Sequence, residues 1–433
     1  MCILTLFGAA RPATEGGSRA TWGIEPMPRL RRSIEMCAVA VLVVAACGGS
    51  PAPAPEVETE TEATGSSGAG STAAVGESTA GAGESTGVVD GSSSGGGTTE
   101  GTPMIEPGPD ASVTAFDGTP VYFLGWEDGQ NQRQVDVELE FPAAELGYEA
   151  ATLELGLRCP EGGCDWWDRA GYIGVVEGAG TENERVLEVA RFMTPYRVGG
   201  TWSIDVSSLR PLLSGTRTLR VFIDTWVGPG HANGDGWLVD ARFDFVGGVP
   251  AELPSEVIPL WAYSEATVGD PMLPVDGQLE PVTVGIPEAA SRVELRSIIT
   301  GHGQGNAENC AEFCQLAHGF LVGAAAVQKT VWRDDCADNP ISNQQGTWMY
   351  PRAGWCPGAD VIAWVEDVTE GVTPGEDVQV LYDVSDYENT CRPDSLDCMG
   401  CSLGTGCEYD GGNHTPPVVK MSAVLVVYQA TGA

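Results

Sequence analysis

Cys159-Pro-Glu-Gly-Gly-Cys164-Asp165-Trp166-Trp167-Asp168-Arg169 is the stretch around which the chain is organised. Two cysteines close a tight loop over Gly162-Gly163, and an acid, two indoles, a second acid and a guanidinium follow at once. A disulfide around so short a loop stabilises by about 2 kcal/mol in the chain-entropy account. It also makes a stiff platform, and a carboxylate that does chemistry must be held still. Trp and Arg beside the acid suit a polar ligand with flat faces, such as a sugar. The competing view is a stapled turn with its indoles in the core and Arg169 paired to Asp165. Adjacent indoles on a strand face opposite ways, so Trp167 is open to either role.

Outward from this loop the pattern is that of short strands. Residues 135–141 alternate apolar and acidic at period two, as a half-buried strand does. Residues 121–124, 151–157, 170–177, 186–192, 201–206, 218–226 and 237–245 fit strands too, separated by turn residues such as Gly199-Gly200 and Ser214-Gly215. That spacing predicts a β-sandwich. Residues 247–254 read as a connection. A second β-rich block follows, with strands expected at 258–261, 281–286, 293–300, 319–330, 360–365, 378–384 and 418–428. No amphipathic helix longer than three turns is expected in either block.

The chain has 433 residues, enough for two or three domains. Its net charge is -38, with 22 Lys and Arg against 60 acids, and that balance excludes a phosphate backbone as partner. Thirteen cysteines point to an exported, oxidising compartment. Met27-Pro-Arg-Leu-Arg-Arg32 and the apolar run to Ala46 read as an export signal, with Met27 as the start of translation. The run ends Val44-Ala45-Ala46-Cys47-Gly48-Gly49, which resembles a bacterial lipobox with Cys47 as the lipidated residue. Cys2 and Cys37 then have no place in the mature protein. Residues 48–110 carry ten acids and no Lys or Arg among Gly, Ser, Thr, Ala and Pro. Such a segment cannot bury enough apolar surface to fold, so it reads as a spacer behind the anchor. The expected layout is 1–47 signal, 48–110 linker, and folded domains at 111–247 and 256–433.

Eight motifs in order carry a family resemblance. The 159–169 loop, Arg191-Phe-Met-Thr-Pro-Tyr196, Ile204-Asp-Val206 with Leu212-Leu-Ser-Gly215, and Asp224-Thr-Trp226 resemble the amino-terminal domain of the peptide-N-glycosidase F family. Residues 297–303, Cys310-Ala-Glu-Phe-Cys314, Asn339-Pro-Ile-Ser-Asn343 and Arg352-Ala-Gly-Trp-Cys-Pro-Gly358 resemble its carboxyl-terminal domain. The resemblance implies an all-β protein of two side-by-side eight-stranded antiparallel jelly rolls, with the site where they meet. It implies an amidase that cleaves the bond between sugar chain and asparagine side chain in an N-glycoprotein or N-glycopeptide. By the same match Asp168 is the indispensable acid and Glu312 the second. Asp224 is a third acid, where the family has Glu, and its carboxylate is set back by about 1.5 Å. Arg169, Trp226, Arg352 and Trp355 fall on the family's site wall. His302-Gly303-Gln304 replaces the family's Trp-Gly-His, which bears on glycan preference. The implied disulfides are Cys159–Cys164, Cys310–Cys314 and Cys336–Cys356.

The implied chemistry needs an activated water, a donor to the developing oxyanion and a proton for the leaving nitrogen. Asp168 and Glu312 would share the water, with Arg169 or Arg352 polarising the carbonyl. Acids brought together from two domains repel, so one pKa should rise and leave a base and an acid near neutral pH. Trp226 and Trp167 would stack on sugar faces. Cys391, Cys398, Cys401 and Cys407 form an insertion, 391–407, that fits two disulfides in any of three connectivities, or a zinc knot. No cofactor or metal is expected, and the protein is expected to be an exported monomer, either anchored in the outer membrane through its lipid alone or secreted.

Two other classes fit parts of the chain. A copper monooxygenase would draw on His302 and His318, but it needs several His or Met converging, and four histidines with no His-x-His are poor material. A non-catalytic glycan- or protein-binding lipoprotein would explain the changes at Asp224 and His302. A Gly-x-Ser-x-Gly elbow, a P-loop and a dinucleotide fingerprint are all absent from the folded part. Asn233, Asp235 and Asp240 have calcium-ligand chemistry but sit in a loop whose composition is that of ordinary turns.

Overall fold

In the computed structural model the described residues are 105–303, 310–393, 395, 407–409 and 414–431. The expected export signal, Cys47, Gln304, Cys398, Cys401 and all but the end of the acidic spacer lie outside them. The first half contains β1 (Glu106–Pro107), β2 (Ala111–Phe123), β3 (Asn131–Gln132), β4 (Gln134–Phe141), β5 (Leu146–Arg158), β6 (Ala170–Glu177), β7 (Arg185–Met193), β8 (Gly200–Asp205), β9 (Gly215–Ile223) and β10 (Trp237–Gly247). The second contains β11 (Glu252–Thr267), β12 (Val282–Gly285), β13 (Arg292–His302), β14 (Leu316–Val322), β15 (Ala325–Val331), β16 (Trp364–Asp367), β17 (Asp377–Val384) and β18 (Val418–Ala430). The longest α-helix among the described residues is Val275–Gln278. The protein is all-β.

Four sheets result. Their orders are β1-β5-β10-β2-β3, with β8 also on β5; β4-β9-β6-β7; β11-β18-β13-β16; and β12-β17-β14-β15. All pairings are antiparallel except β1 with β5. The first two sheets share a core that includes Leu153, Ile173, Leu219 and Phe243, and the last two share one that includes Val322, Val380, Met421 and Leu425. Alternation puts those side chains inward: β10 alternates buried and less buried positions from Trp237 to Phe245.

Several boundaries differ from those read off the sequence. Residues 106–110 belong to the fold: β1 pairs with β5, Gly108 N–H donates to Gly147 O, and Gly247 N–H donates to the Asp110 carboxylate. The 247–254 connection shrinks to 248–251, because β11 runs from Glu252 and takes Pro254 and Pro259 at register shifts on an edge strand. The run 319–330 is a hairpin, β14 and β15, turned at Gly323 with φ 55°. Residues 358–361 belong to neither sheet of the second half. Their backbone pairs with β7 of the first half, through Gly358 N–H to Met193 O, Met193 N–H to Ala359 O and Val361 N–H to Arg191 O.

That ladder is one of the joints between the halves. A second is apolar: Val257, Val424, Val426 and Tyr428 from the outer face of the β11-β18 pair enter the first core, and Met193, Ile298, Trp355 and Val361 form a small core of their own. A third is polar. Arg191, 1% exposed, donates to both Glu188 oxygens and reaches across to Thr300 Oγ1 and Lys420 O, while Ser422 donates to Glu188. A buried ion pair satisfied on all sides is tolerated, whereas half of one is not. Arg191→Ala should therefore lose on the order of 3–5 kcal/mol in urea unfolding, and Arg191→Met with Glu188→Leu should lose less than the single change. A loss below about 1 kcal/mol in the single variant would contradict this role for the network.

Candidate active site

The 159–169 loop is tied down before it reaches its second acid. Cys159 and Cys164 form a disulfide with Cα atoms 4.4 Å apart, and Gly162 N–H and Gly230 N–H both donate to Asp235. Asp165 is fully buried and accepts from Trp167 N–H, Arg169 Nε at 2.8 Å and Thr225 Oγ1 at 2.7 Å. Thr194, also fully buried, clamps the two peptide units that flank Asp168: its Oγ1 donates to Trp167 O and accepts from Arg169 N–H. The Trp167 indole is left 52% exposed, while the Asp168 side chain is 15% exposed.

Glu312 arrives from the second half. It sits in the Cys310–Cys314 disulfide loop, where its carbonyl accepts from Ala353 N–H. That loop lies against Gly301, where a Cβ would stand 2.3 Å from Ala311 O, so only glycine allows the approach. Arg352 pairs by backbone with Arg333 and lies within the loop closed by the third disulfide, Cys336–Cys356. Its side chain is 1% exposed. Nε donates to Glu312 Oε1 at 3.2 Å, Nη1 donates to Thr347 O and Tyr350 O, and Nη2 donates to Thr347 Oγ1. Four of its five N–H groups are thus committed. The remaining one is on Nη2, 3.8 Å from Asp168 Oδ2, an ion-pair distance too long for a hydrogen bond.

One guanidinium therefore stands between two carboxylates that come from different halves. Desolvation by burial pushes Asp168 above the usual carboxylate range, opposed by Arg352 and by a hydrogen bond from Tyr196. Desolvation and then the Asp168 charge push Glu312 up to about 7, against the pull of Arg352. The Tyr196 hydroxyl also meets Thr347 Oγ1 at 3.3 Å. Asp168, Tyr196, Thr347, Arg352 and Glu312 so form one connected polar set. A carboxyl pair in this state holds a proton and a negative charge together near neutral pH.

The other residues singled out from the sequence fall around this set. Arg169 is in the ion pair with Asp165. Asp224 accepts from Arg133 Nη1 at 3.2 Å and is 36% exposed. Trp226 is 45% exposed, in edge contact with Phe123 and Trp126. Trp355 is enclosed behind Arg352, 3% exposed, with its N–H on Gly301 O, so its faces do not reach solvent. His302 stacks on Trp355, bonds Thr300 Oγ1 at 2.8 Å, and burial holds its pKa well below the usual value. His318 bonds Tyr382 in the second core. Among the described residues no three His, Cys, Asp or Glu converge as metal ligands would. Cys391 and Cys407 are disulfide-bonded, which removes the zinc reading for those two. Sequence reasoning missed Thr194, Tyr196, Thr347 and Arg133. Thr194 and Tyr196 lie inside the quoted motif at 191–196, but nothing in its spacing marks which side chains turn towards Asp168.

Comparison with known proteins follows the same lines. The models described as peptide-N-glycosidase F, N terminal and C terminal, match residues 165–234 and 274–396. Peptide-N(4)-(N-acetyl-beta-D-glucosaminyl)asparagine amidase F of Elizabethkingia miricola is 31% identical over 259 residues, covering 57% of this chain and 70% of that protein. PNGase F from Flavobacterium meningosepticum, a glycosylasparaginase, superposes with TM-score 0.59 at 23% identity over 75% of this chain and 97% of its own. PNGF-II superposes with TM-score 0.55 at 15% identity over 74% of this chain and 65% of its own.

A carboxyl group whose folded pKa is raised to about 7 from 4.5 favours folding fully only below the unfolded value, and that contribution is lost as pH rises through the folded one. Glu312→Gln should therefore be more stable than the parent above pH 7, by on the order of 2 kcal/mol, with the gain vanishing in acid. Melting curves across pH test it, and a pH-independent difference would contradict the burial assigned to Glu312.

Proposed function

The chain belongs to the peptide-N-glycosidase F family, and from that membership we propose that it hydrolyses the side-chain amide of glycosylated asparagine. The products are aspartate in the peptide and a 1-amino sugar that loses ammonia. The observation that carries the reading is the Arg352 guanidinium between Asp168 and Glu312, with Glu312 titrating near 7. Ionised Asp168 takes a proton from the attacking water as the new C–O bond forms. The uncommitted Arg352 N–H faces the developing oxyanion. Protonated Glu312 gives its proton to the nitrogen as the C–N bond breaks, and solvent then returns the pair to its starting state. Trp167 and Trp226, both exposed, offer faces to the sugar, and Asp224 offers an acceptor to its hydroxyls.

The two sheet pairs are, on this reading, jelly-roll domains that begin at β1 and at β11, with the reaction centre at their junction. Three disulfides suit an exported protein. Cys47 would carry the lipid, and the residues between it and the fold that begins at β1 would be the tether of a monomeric enzyme whose substrate is an N-glycoprotein or N-glycopeptide.

Asp168→Asn should abolish release of N-glycans from a denatured glycoprotein, a loss of roughly 10²–10⁴-fold or more. Retained activity would remove Asp168 from the mechanism. The pH profile of kcat/KM should be bell-shaped, falling in acid as Asp168 takes up a proton and falling as pH rises through about 7, where Glu312 loses its own. A profile still rising above pH 8 would contradict Glu312 as the acid.

A further inference from the structure

Beside the reaction centre stands an aromatic cluster that the family match covers only at Trp226. The N-terminal family model matches from residue 165 onward, whereas Phe123, Trp126 and Arg133 lie before it. The Arg133 side chain is only 12% exposed, and its guanidinium lies 4.8 Å from the Phe123 ring centre, 4.9 Å from Trp126 and 4.5 Å from Trp226. The three rings meet edge to face, with centres 5.1 to 6.0 Å apart. The cluster is held by backbone, since Phe123 N–H donates to Val227 O and Ile223 N–H donates to Arg133 O. Asp224 N–H donates to Ala170 O, two residues beyond Asp168, so the cluster is continuous with the site.

What the packing does not explain is Trp126. It is 72% exposed, beside Trp226 at 45% and Leu124 at 48%. A cation beneath the rings and a carboxylate at their edge place hydrogen-bonding groups around flat apolar surface. That combination matches a pyranose, which has an apolar C–H face rimmed by hydroxyls, better than it matches an aliphatic peptide side chain.

We propose that Phe123 and Trp126, braced by Arg133, extend the sugar face of Trp226 into a further carbohydrate subsite that takes a sugar residue of the glycan beyond the chitobiose attached to asparagine. Trp126 supplies the outer stacking face and is a specificity-determining residue. The proposal rests on the amidase reading for its place along the glycan, but sugar binding by the cluster can be measured without turnover.

The experiment compares the parent with Trp126→Ala and Trp126→Phe on one peptide that carries either chitobiose or the branched pentasaccharide of three mannoses on chitobiose. Trp126→Ala should lose about tenfold in kcat/KM on the pentasaccharide substrate, through KM with kcat unchanged, and little on the chitobiose substrate. Trp126→Phe should restore most of the loss. In parallel, titration calorimetry with the free pentasaccharide should show binding weakened about tenfold by Trp126→Ala. Equal loss on both substrates would assign the cluster to the peptide and overturn the proposal, as would no loss on either. If neither glycopeptide is cleaved by the parent, the amidase reading fails, and the calorimetry alone decides the subsite: unchanged or undetectable sugar binding overturns it.

Discussion

The structure depends on one guanidinium. Arg352 is rooted in backbone carbonyls at Thr347 and Tyr350 and leans on the enclosed Trp355. Because those contacts fix its plane, its Nε and one Nη2 N–H point to two acids that the chain brings from opposite directions. Two carboxylates this enclosed would both neutralise without a cation, and with a freely exposed cation neither would hold a proton near pH 7. Burial raises both acids and the single shared charge opposes the rise in each.

Such an arrangement is only as good as the joint between the halves. Asp168 is carried by a disulfide loop stapled through Asp165 and Thr194, and Glu312 by another loop pressed on Gly301. The Arg191–Glu188 network, the small core around Trp355 and the backbone ladder of 358–361 set their separation. Thr300 accepts from Arg191 and bonds His302, which stacks on Trp355, which in turn backs Arg352. A contiguous set of buried groups therefore runs from the joint between the halves to Arg352, and a small misplacement there would shift the two acids that share it.

Much of this was legible in the sequence, for identifiable reasons. Period-two alternation located most strands to within a few residues, since a half-buried strand writes its pleat into its polarity. It failed where tertiary pairing overrode it: at 319–330, where Gly323 turns the chain back, and at 358–361, which pairs across the joint instead of within its own half. Asp168, Glu312 and Arg352 were singled out through ordered motifs, not through any local physical signal, and the structure brings the three together. Tyr196 and Thr347 escaped because their roles are hydrogen bonds between loops some 150 residues apart. Arg133 escaped because a lone arginine in a polar run shows nothing of the rings that will cover it. Trp355 was expected in the site wall but is enclosed behind Arg352, because burial is decided by the fold around it.

The central claim is that Asp168 and Glu312 act together on one water at the glycosylasparagine amide. The most direct measurement is mass spectrometry of a defined N-glycopeptide incubated with the protein in oxygen-18 water. The account predicts a freed peptide whose former asparagine is aspartate carrying one heavy oxygen. A peptide that keeps its proximal sugar, or one that leaves unaltered with the label in the glycan, would contradict it.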